Sequence, residues 1–283
     1  MKLSPCVTIM QTDTDLEYLA IESEHCSATI FLQGAQLASF IPKNKPPLIW
    51  MSQDEDYQQG KGLRGGIPIC WPWFGVSKNQ DWPIHGVART NLWRAEEVNE
   101  HAEYTEVILS LPMAQIDKTY WPYKSALKVV FHLSDVLKVT LINTNLDSQP
   151  IELTQALHTY FPTSDITATK VDGLQGSQFI EFGEGPFVQN DVVGFARETD
   201  MVYTQVGSMQ HINTPEGTIA VGRENSTSCV LWNPWIDKAK RLSNFADDEY
   251  KTMLCLEAGN VMDDKVVLAP GESHSLSTIV YWV

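Results

Sequence analysis

A glutamate and a histidine in this 283-residue chain stand where ordinary folding would not put them. Glu257 closes the apolar run Met253-Leu254-Cys255-Leu256 and precedes Ala258-Gly259, so the strand that carries it buries a carboxylate, an unusual fate for glutamate. His158 closes a second apolar run, Ile151 to Leu157, just before Thr159-Tyr160-Phe161-Pro162. If the two strands are neighbours, imidazole and carboxylate face each other and burial tunes both toward neutral pH, as general acid–base chemistry requires. The sequence leaves that adjacency open, and a merely satisfied or exposed histidine is the competing reading.

A second group of residues could recognise rather than react. Arg64-Gly65-Gly66-Ile67-Pro68-Ile69-Cys70-Trp71-Pro72-Trp73-Phe74-Gly75, followed by His85-Gly86-Val87-Ala88-Arg89, is too rich in Gly and Pro for an ordinary helix. It must turn sharply, while Arg64 and Arg89 offer forked donors to an anionic oxygen cluster and Trp71, Trp73 and Trp82 offer flat apolar faces. The combination suits a phosphorylated, ring-shaped ligand. Taken singly, each arginine could be a solvated surface charge and most of the tryptophans could be core. Asp200, in Glu198-Thr199-Asp200, could accept hydrogen bonds from sugar hydroxyls or simply begin a turn. Trp232 and Trp235 flank Asn233-Pro234, which forces a turn and suggests a rim position for these indoles.

The elements that must hold these groups are strands. Short or alternating apolar runs rich in β-branched and aromatic residues recur at 28–32, 105–111, 126–133, 137–144, 151–158, 218–221, 229–232, 253–257 and 277–283. Helical periodicity is scarce, confined to short turns around Asp54–Tyr57 and Asp247–Tyr250. Without helices long enough for βαβ crossovers, the sheets must be antiparallel and must bury each other, so the expected fold is all-β, a large antiparallel sandwich. No linker, charge run or repeat divides the chain, and residues 1–283 are expected to form one domain.

Composition limits the partners. The formal net charge of -15, with no basic stripe, argues against nucleic acid. It leaves room for an anionic metabolite, because a few converging arginines act locally. No apolar run reaches the roughly 18 residues of a membrane span and the N-terminus lacks the apolar core of a signal peptide, so a soluble cytoplasmic protein is expected. The five cysteines are scattered without metal or redox spacing and are expected to be free thiols, with no metal site.

The order of these motifs, Arg-Gly-Gly-x-Pro-x-Cys-Trp-Pro-x-Phe-Gly, His-Gly-x-Ala-Arg, Leu-x-His-Thr-Tyr-Phe, Trp-Asn-Pro-Trp and Cys-x-Glu, resembles the hexose-6-phosphate mutarotases of the aldose 1-epimerase, or galactose mutarotase-like, superfamily. The resemblance runs from about Phe31 to the C-terminus. It implies an antiparallel β-supersandwich, a monomer, that interconverts the α and β anomers of a hexose 6-phosphate without metal or organic cofactor. It also implies roles: His158 and Glu257 as the catalytic pair, Arg64 and Arg89 as phosphate or substrate ligands, Asp200 as a hydroxyl-binding carboxylate, and His85 near the sugar ring, where Trp232 could stack by its own rim position. Two positions depart from the pattern. Ile84 stands where a polar side chain such as Gln often precedes the His-Gly, and Asn244 stands where an Asp-Phe pair is common.

Mutarotation needs one base and one acid, and the expected roles are Glu257 as base at O1 and protonated His158 as acid at the ring oxygen. A non-catalytic carbohydrate-binding sandwich is one alternative. A glycoside hydrolase is another, which ordinarily needs two carboxylates across the scissile bond, here Asp200 and Glu257.

Overall fold

The structure, a computed structural model, describes residues 4–283. Two large sheets dominate it, and every pairing within them is antiparallel. One has nine strands, in which Arg94–Glu100, Thr105–Leu111, Ser125–Leu133 and Leu137–Asn145 lie side by side in chain order. The C-terminal strand Ser273–Trp282 continues it, followed by Gly217–Glu224 and Met209–Thr214. The other has eight strands and follows no such order. Thr199–Thr204, Ser228–Asn233 and Met253–Asn260 form its centre, with Gln155–Leu157 and Ile69–Cys70 on one flank and the hairpin Gln178–Glu181, Glu184–Val188 on the other. An N-terminal four-stranded sheet spans Val7–Gln11 to Gln36–Pro42.

The inner faces of the large sheets share one core. Val107, Leu109, Val129, Phe131, Val139 and Leu141 come from the nine-stranded sheet, and Tyr203, Leu231, Leu254 and Leu256 from the eight-stranded one. Each fully buried side chain of this size contributes about 1.5–3 kcal/mol relative to exposure. The alternation that predicted strands is thus the alternation of core-facing and outward-facing positions.

Two local expectations need correction. The run 151–158 is not one strand: Ile151–Leu153 pairs with Val266–Leu268, whereas Gln155–Leu157 joins the eight-stranded sheet. Thr154 is the joint, because its N–H donates to the Pro72 carbonyl (3.1 Å) and its hydroxyl accepts from the Phe74 N–H (2.9 Å). The turn expected near 54–57 is not helical, and the one near 247–250 becomes the 3-10 turn Glu249–Lys251. The one α-helix among the described residues, Trp235–Ala239, follows the Asn-Pro turn instead. Five residues cannot sustain a helix alone. Asn233 supplies the anchor, accepting from the Trp235 N–H (2.8 Å) and donating to the carbonyls of Tyr250 (2.8 Å) and Met253 (2.9 Å).

Candidate active site

Period-2 alternation decides which residues meet on the outer face of the eight-stranded sheet. In Met253–Asn260, Leu254, Leu256 and Ala258 point into the sandwich core, so Met253, Cys255 and Glu257 point outward. Asp200, Val230 and Trp232 occupy the same outward phase on their own strands, since Met201, Cys229 and Leu231 face the core. Leu157 pairs with Ala258 and Tyr160 with Cys255, and the same register carried between them sets His158 across from Glu257. His158 Nε2 lies 3.4 Å from Glu257 Oε1. The adjacency that the sequence left open is therefore a cross-strand pair.

A roof over this face converts a sheet surface into a cleft of about 670 Å³. All seven residues expected at the site line it: Arg64, His85, Arg89, His158, Asp200, Trp232 and Glu257. The Arg64–Arg89 segment lies along the sheet edge, with Gly66 and Pro68 carbonyls accepting from the N–H groups of Tyr160 and His158 (3.0 Å each). Glycine is required three times in that segment: Gly65 has positive φ, and a Cβ on it would stand 2.6 Å from the Met51 Cα and 2.7 Å from the Trp50 carbonyl oxygen. Gly66 and Gly86 both have positive φ, and a Cβ on them would stand 2.3 Å from the Leu37 carbonyl oxygen and 2.0 Å from that of Trp71. Close approach of backbone to backbone is what brings the arginines to the cleft.

Each polar group of the roof is anchored. Arg89 donates through Nη2 to the Ile84 carbonyl (2.7 Å), and Arg64 through Nε to the Ser243 carbonyl (3.4 Å). His85 Nδ1 accepts from the Gly75 N–H (3.1 Å), so its neutral ring carries the proton on Nε2. Its ring meets that of His158 edge to face, with centroids 5.6 Å apart, while His158 stacks on Tyr160 at 5.0 Å. Glu257 Oε2 and His158 Nδ1 are buried without a hydrogen-bond partner among the described residues, so the pair has bonding capacity to spare.

Burial sets the charges. It holds His85 down to about 3, with Arg89 and Arg64 adding to the effect, so this ring is neutral at any physiological pH. Burial likewise pushes His158 well below its usual range, assisted by His85, Arg89 and Arg64. It pushes Glu257 well above the usual carboxylate range, with Asp200 adding to the rise and Arg89 opposing it. Burial thus favours a neutral imidazole beside a protonated carboxyl, a pair holding one exchangeable proton. The expected imidazolium–carboxylate form differs from it by the transfer of that proton across 3.4 Å.

Other expectations shift. Trp71, Trp73 and Trp82 do not line the cleft. Trp71 is fully buried, and Trp73 packs against Trp82 and Tyr120 with centroids at 5.3 and 6.2 Å, because a sandwich this large has apolar volume to fill beneath its roof. Of the Asn-Pro pair, Trp232 lines the cleft and Trp235 packs against Tyr250. Ile84 contributes a main-chain carbonyl, which any residue could provide. Asn244 donates to Glu55 Oε1 (3.0 Å) and Asp56 Oδ1 (2.6 Å), a bridge between two carboxylates that an aspartate could not make when ionised. Sequence reasoning passed over Tyr160 and Lys238. Tyr160 was legible as the next outward position after His158, whereas Lys238 reaches the cleft only through the short helix.

The profile of the Aldose 1-epimerase family matches residues 17–281. A protein of Cenchrus ciliaris with the provisional name glucose-6-phosphate 1-epimerase is 35% identical over 95% of this chain and 85% of its own length. A Salmonella typhimurium protein with the same provisional name is 32% identical over 90% of this chain and 87% of its own. Among solved structures, a provisionally named mutarotase from Salmonella typhimurium superposes with a TM-score of 0.92 at 28% identity, covering 99% of this chain and 94% of that one. With a profile match over residues 17–281 and relatives above 30% identity along most of its length, the chain belongs to the aldose 1-epimerase family.

Proposed function

We propose that this chain is a hexose-6-phosphate 1-epimerase, interconverting the α and β anomers of glucose 6-phosphate and related hexose 6-phosphates, with residues 1–283 acting as one domain. The observation that carries this reading is the His158–Glu257 pair, in contact at 3.4 Å on the floor of a cleft whose roof holds Arg64 and Arg89. The names of the relatives point the same way. A non-catalytic sugar-binding role does not account for a buried acid–base pair. A glycosidase would need Asp200 as second carboxylate, and Lys238 Nζ already pairs with it at 3.6 Å.

A 6-phosphate docks on Arg64 and Arg89, and its charge offsets the two guanidiniums that oppose a proton on His158. The proton of the pair then moves from Glu257 to His158. Glu257 takes the O1 proton while His158 delivers its own to O5, so the C1–O5 bond breaks and C1=O1 forms. Rotation about C1–C2 presents the other carbonyl face. Closure runs the same transfers in reverse, and both protons are regenerated. His85, neutral and donating from Nε2, and Trp232 border the ring, and Asp200 accepts from its hydroxyls. All five cysteines are free thiols, which suits the reducing, cytoplasmic setting proposed here, and a monomer is part of the same proposal.

Anomer exchange followed by NMR tests the reading. His158→Ala and Glu257→Gln should each slow exchange of glucose 6-phosphate by at least about tenfold with folding intact. Exchange of glucose and glucose 6-phosphate at equal rates would remove the proposed role of Arg64 and Arg89.

A further inference from the structure

Two cations of the cleft, Lys61 and Lys238, belong to neither the catalytic pair nor the arginine roof, and Lys238 is the one held by carboxylates. Lys238 sits on the short helix Trp235–Ala239, and its Nζ is held on three sides: 3.1 Å from Glu198 Oε1, 3.6 Å from Asp200 Oδ2 and 5.9 Å from the centre of the Trp232 ring. Two carboxylates already satisfy its charge, so it is a poor candidate for a third phosphate ligand. The wall it stands against is acidic. Glu181 is taken by Arg197, through Nη1 (2.6 Å) and Nη2 (2.9 Å), which leaves Glu198 and Asp200 to Lys238.

We propose that Lys238 is a positioning residue, holding Asp200 ionised and turned into the cleft so that this carboxylate can accept from two neighbouring ring hydroxyls. The proposal rests on the cleft taking a hexose. Asp200 needs such help, because it is partly sequestered from water and lies near Glu198, Glu181 and Glu257. Burial raises its carboxyl above the ordinary value, Glu198 and Glu181 add to the rise, and Lys238 opposes it. A protonated Asp200 would lose one acceptor and gain a donor, the wrong pattern for two hydroxyl donors. The Asn233 anchor makes the device rigid by fixing where the helix starts.

The experiment compares wild type, Lys238→Met and Lys238→Arg in anomer exchange of glucose 6-phosphate across pH 5–8, alongside carbon-13 titration of the Asp200 carboxyl. The Met variant should lose about tenfold in kcat/KM at neutral pH, mainly through KM, since a charge-assisted hydrogen-bond acceptor is weakened. Its Asp200 should titrate at higher pH, so activity on the acid side should fall at higher pH than in wild type. Lys238→Arg should restore most of both. A folded Met variant with unchanged Asp200 titration and unchanged KM overturns the proposal, as does an Arg variant as impaired as Met. Wild type that fails to speed exchange would instead defeat the proposed activity, and this inference with it.

Discussion

The stretch Arg94–Asn145 and the stretch Arg64–Arg89 are built on opposite terms. The first supplies four neighbouring strands of the nine-stranded sheet, two of them nine residues long, and no residue within it adopts a positive φ. The second contributes a strand of only two residues, and Gly65, Gly66, Gly75, His85 and Gly86 all take positive φ. Across the cleft the pattern continues, with Trp235 and Asn244 also left-handed at φ 53 and 55. The glycines take such a backbone without strain, whereas at the non-glycine positions His85, Trp235 and Asn244 it costs of order 1–3 kcal/mol each and persists only where the surroundings over-determine it. One sheet therefore provides stability through regular alternation, and the other spends part of it on exposing functional groups at a roofed face.

Substitutions on the two sides should separate stability from activity. The largest effect on rate is expected at Glu257→Gln, about 10²–10⁴-fold in anomer exchange, if Glu257 is the base. The same change should raise Tm. A carboxyl whose folded value lies above its unfolded one contributes stability below the unfolded value that disappears as pH rises through the folded value. The Tm gain should therefore be larger at pH 8 than at pH 4. Leu141→Ala, in the fully buried core of the regular sheet, should do the reverse, costing about 2–5 kcal/mol by urea unfolding with kcat/KM of the folded protein unchanged. A Leu141→Ala variant that lost activity in proportion would erase the contrast.

A smaller effect is expected from His85 and appears as pH dependence. Its folded value of about 3 lies below the ordinary 6.5, so the folded state binds fewer protons in that window. Stability from this residue is complete above pH 6.5 and falls as pH drops toward 3, and a His85→Phe variant should flatten that part of the curve in an unfolding series. Smallest is Asn244→Asp, which would set a third carboxylate beside Glu55 and Asp56 and loosen the loop beneath Arg64. About a threefold rise in KM is expected, of the order of an exposed charge interaction, checked by the same exchange measurement.

Most of the strand inventory was legible from period-2 apolar runs, because alternation is a local property that the backbone imposes wherever one face is buried. The break at Thr154 was not legible, since it depends on bonds to Pro72 and Phe74, about 80 residues away in the chain. Nor could the indoles be sorted: Trp71 and Trp232 both stand beside a turn-forming proline motif, and only packing makes the first core and the second cleft.

What the sequence by itself determined is the all-β class, the identity of the chemical groups and the order of the motifs that carry them, all of which follow from residue types and short spacings. The tertiary structure alone decided that residues 158 and 257 are cross-strand partners, that Arg64, Arg89 and Asp200 share one cleft, and that Lys238 folds over Trp232. The physical reason is that strand pairing between distant segments is selected by burial of the whole sandwich and is not encoded at either segment alone. The segment from Arg64 to Arg89 bears this out, since its glycines are readable as residues but their purpose, backbone against backbone at Leu37 and Trp71, exists only once the sheets have closed.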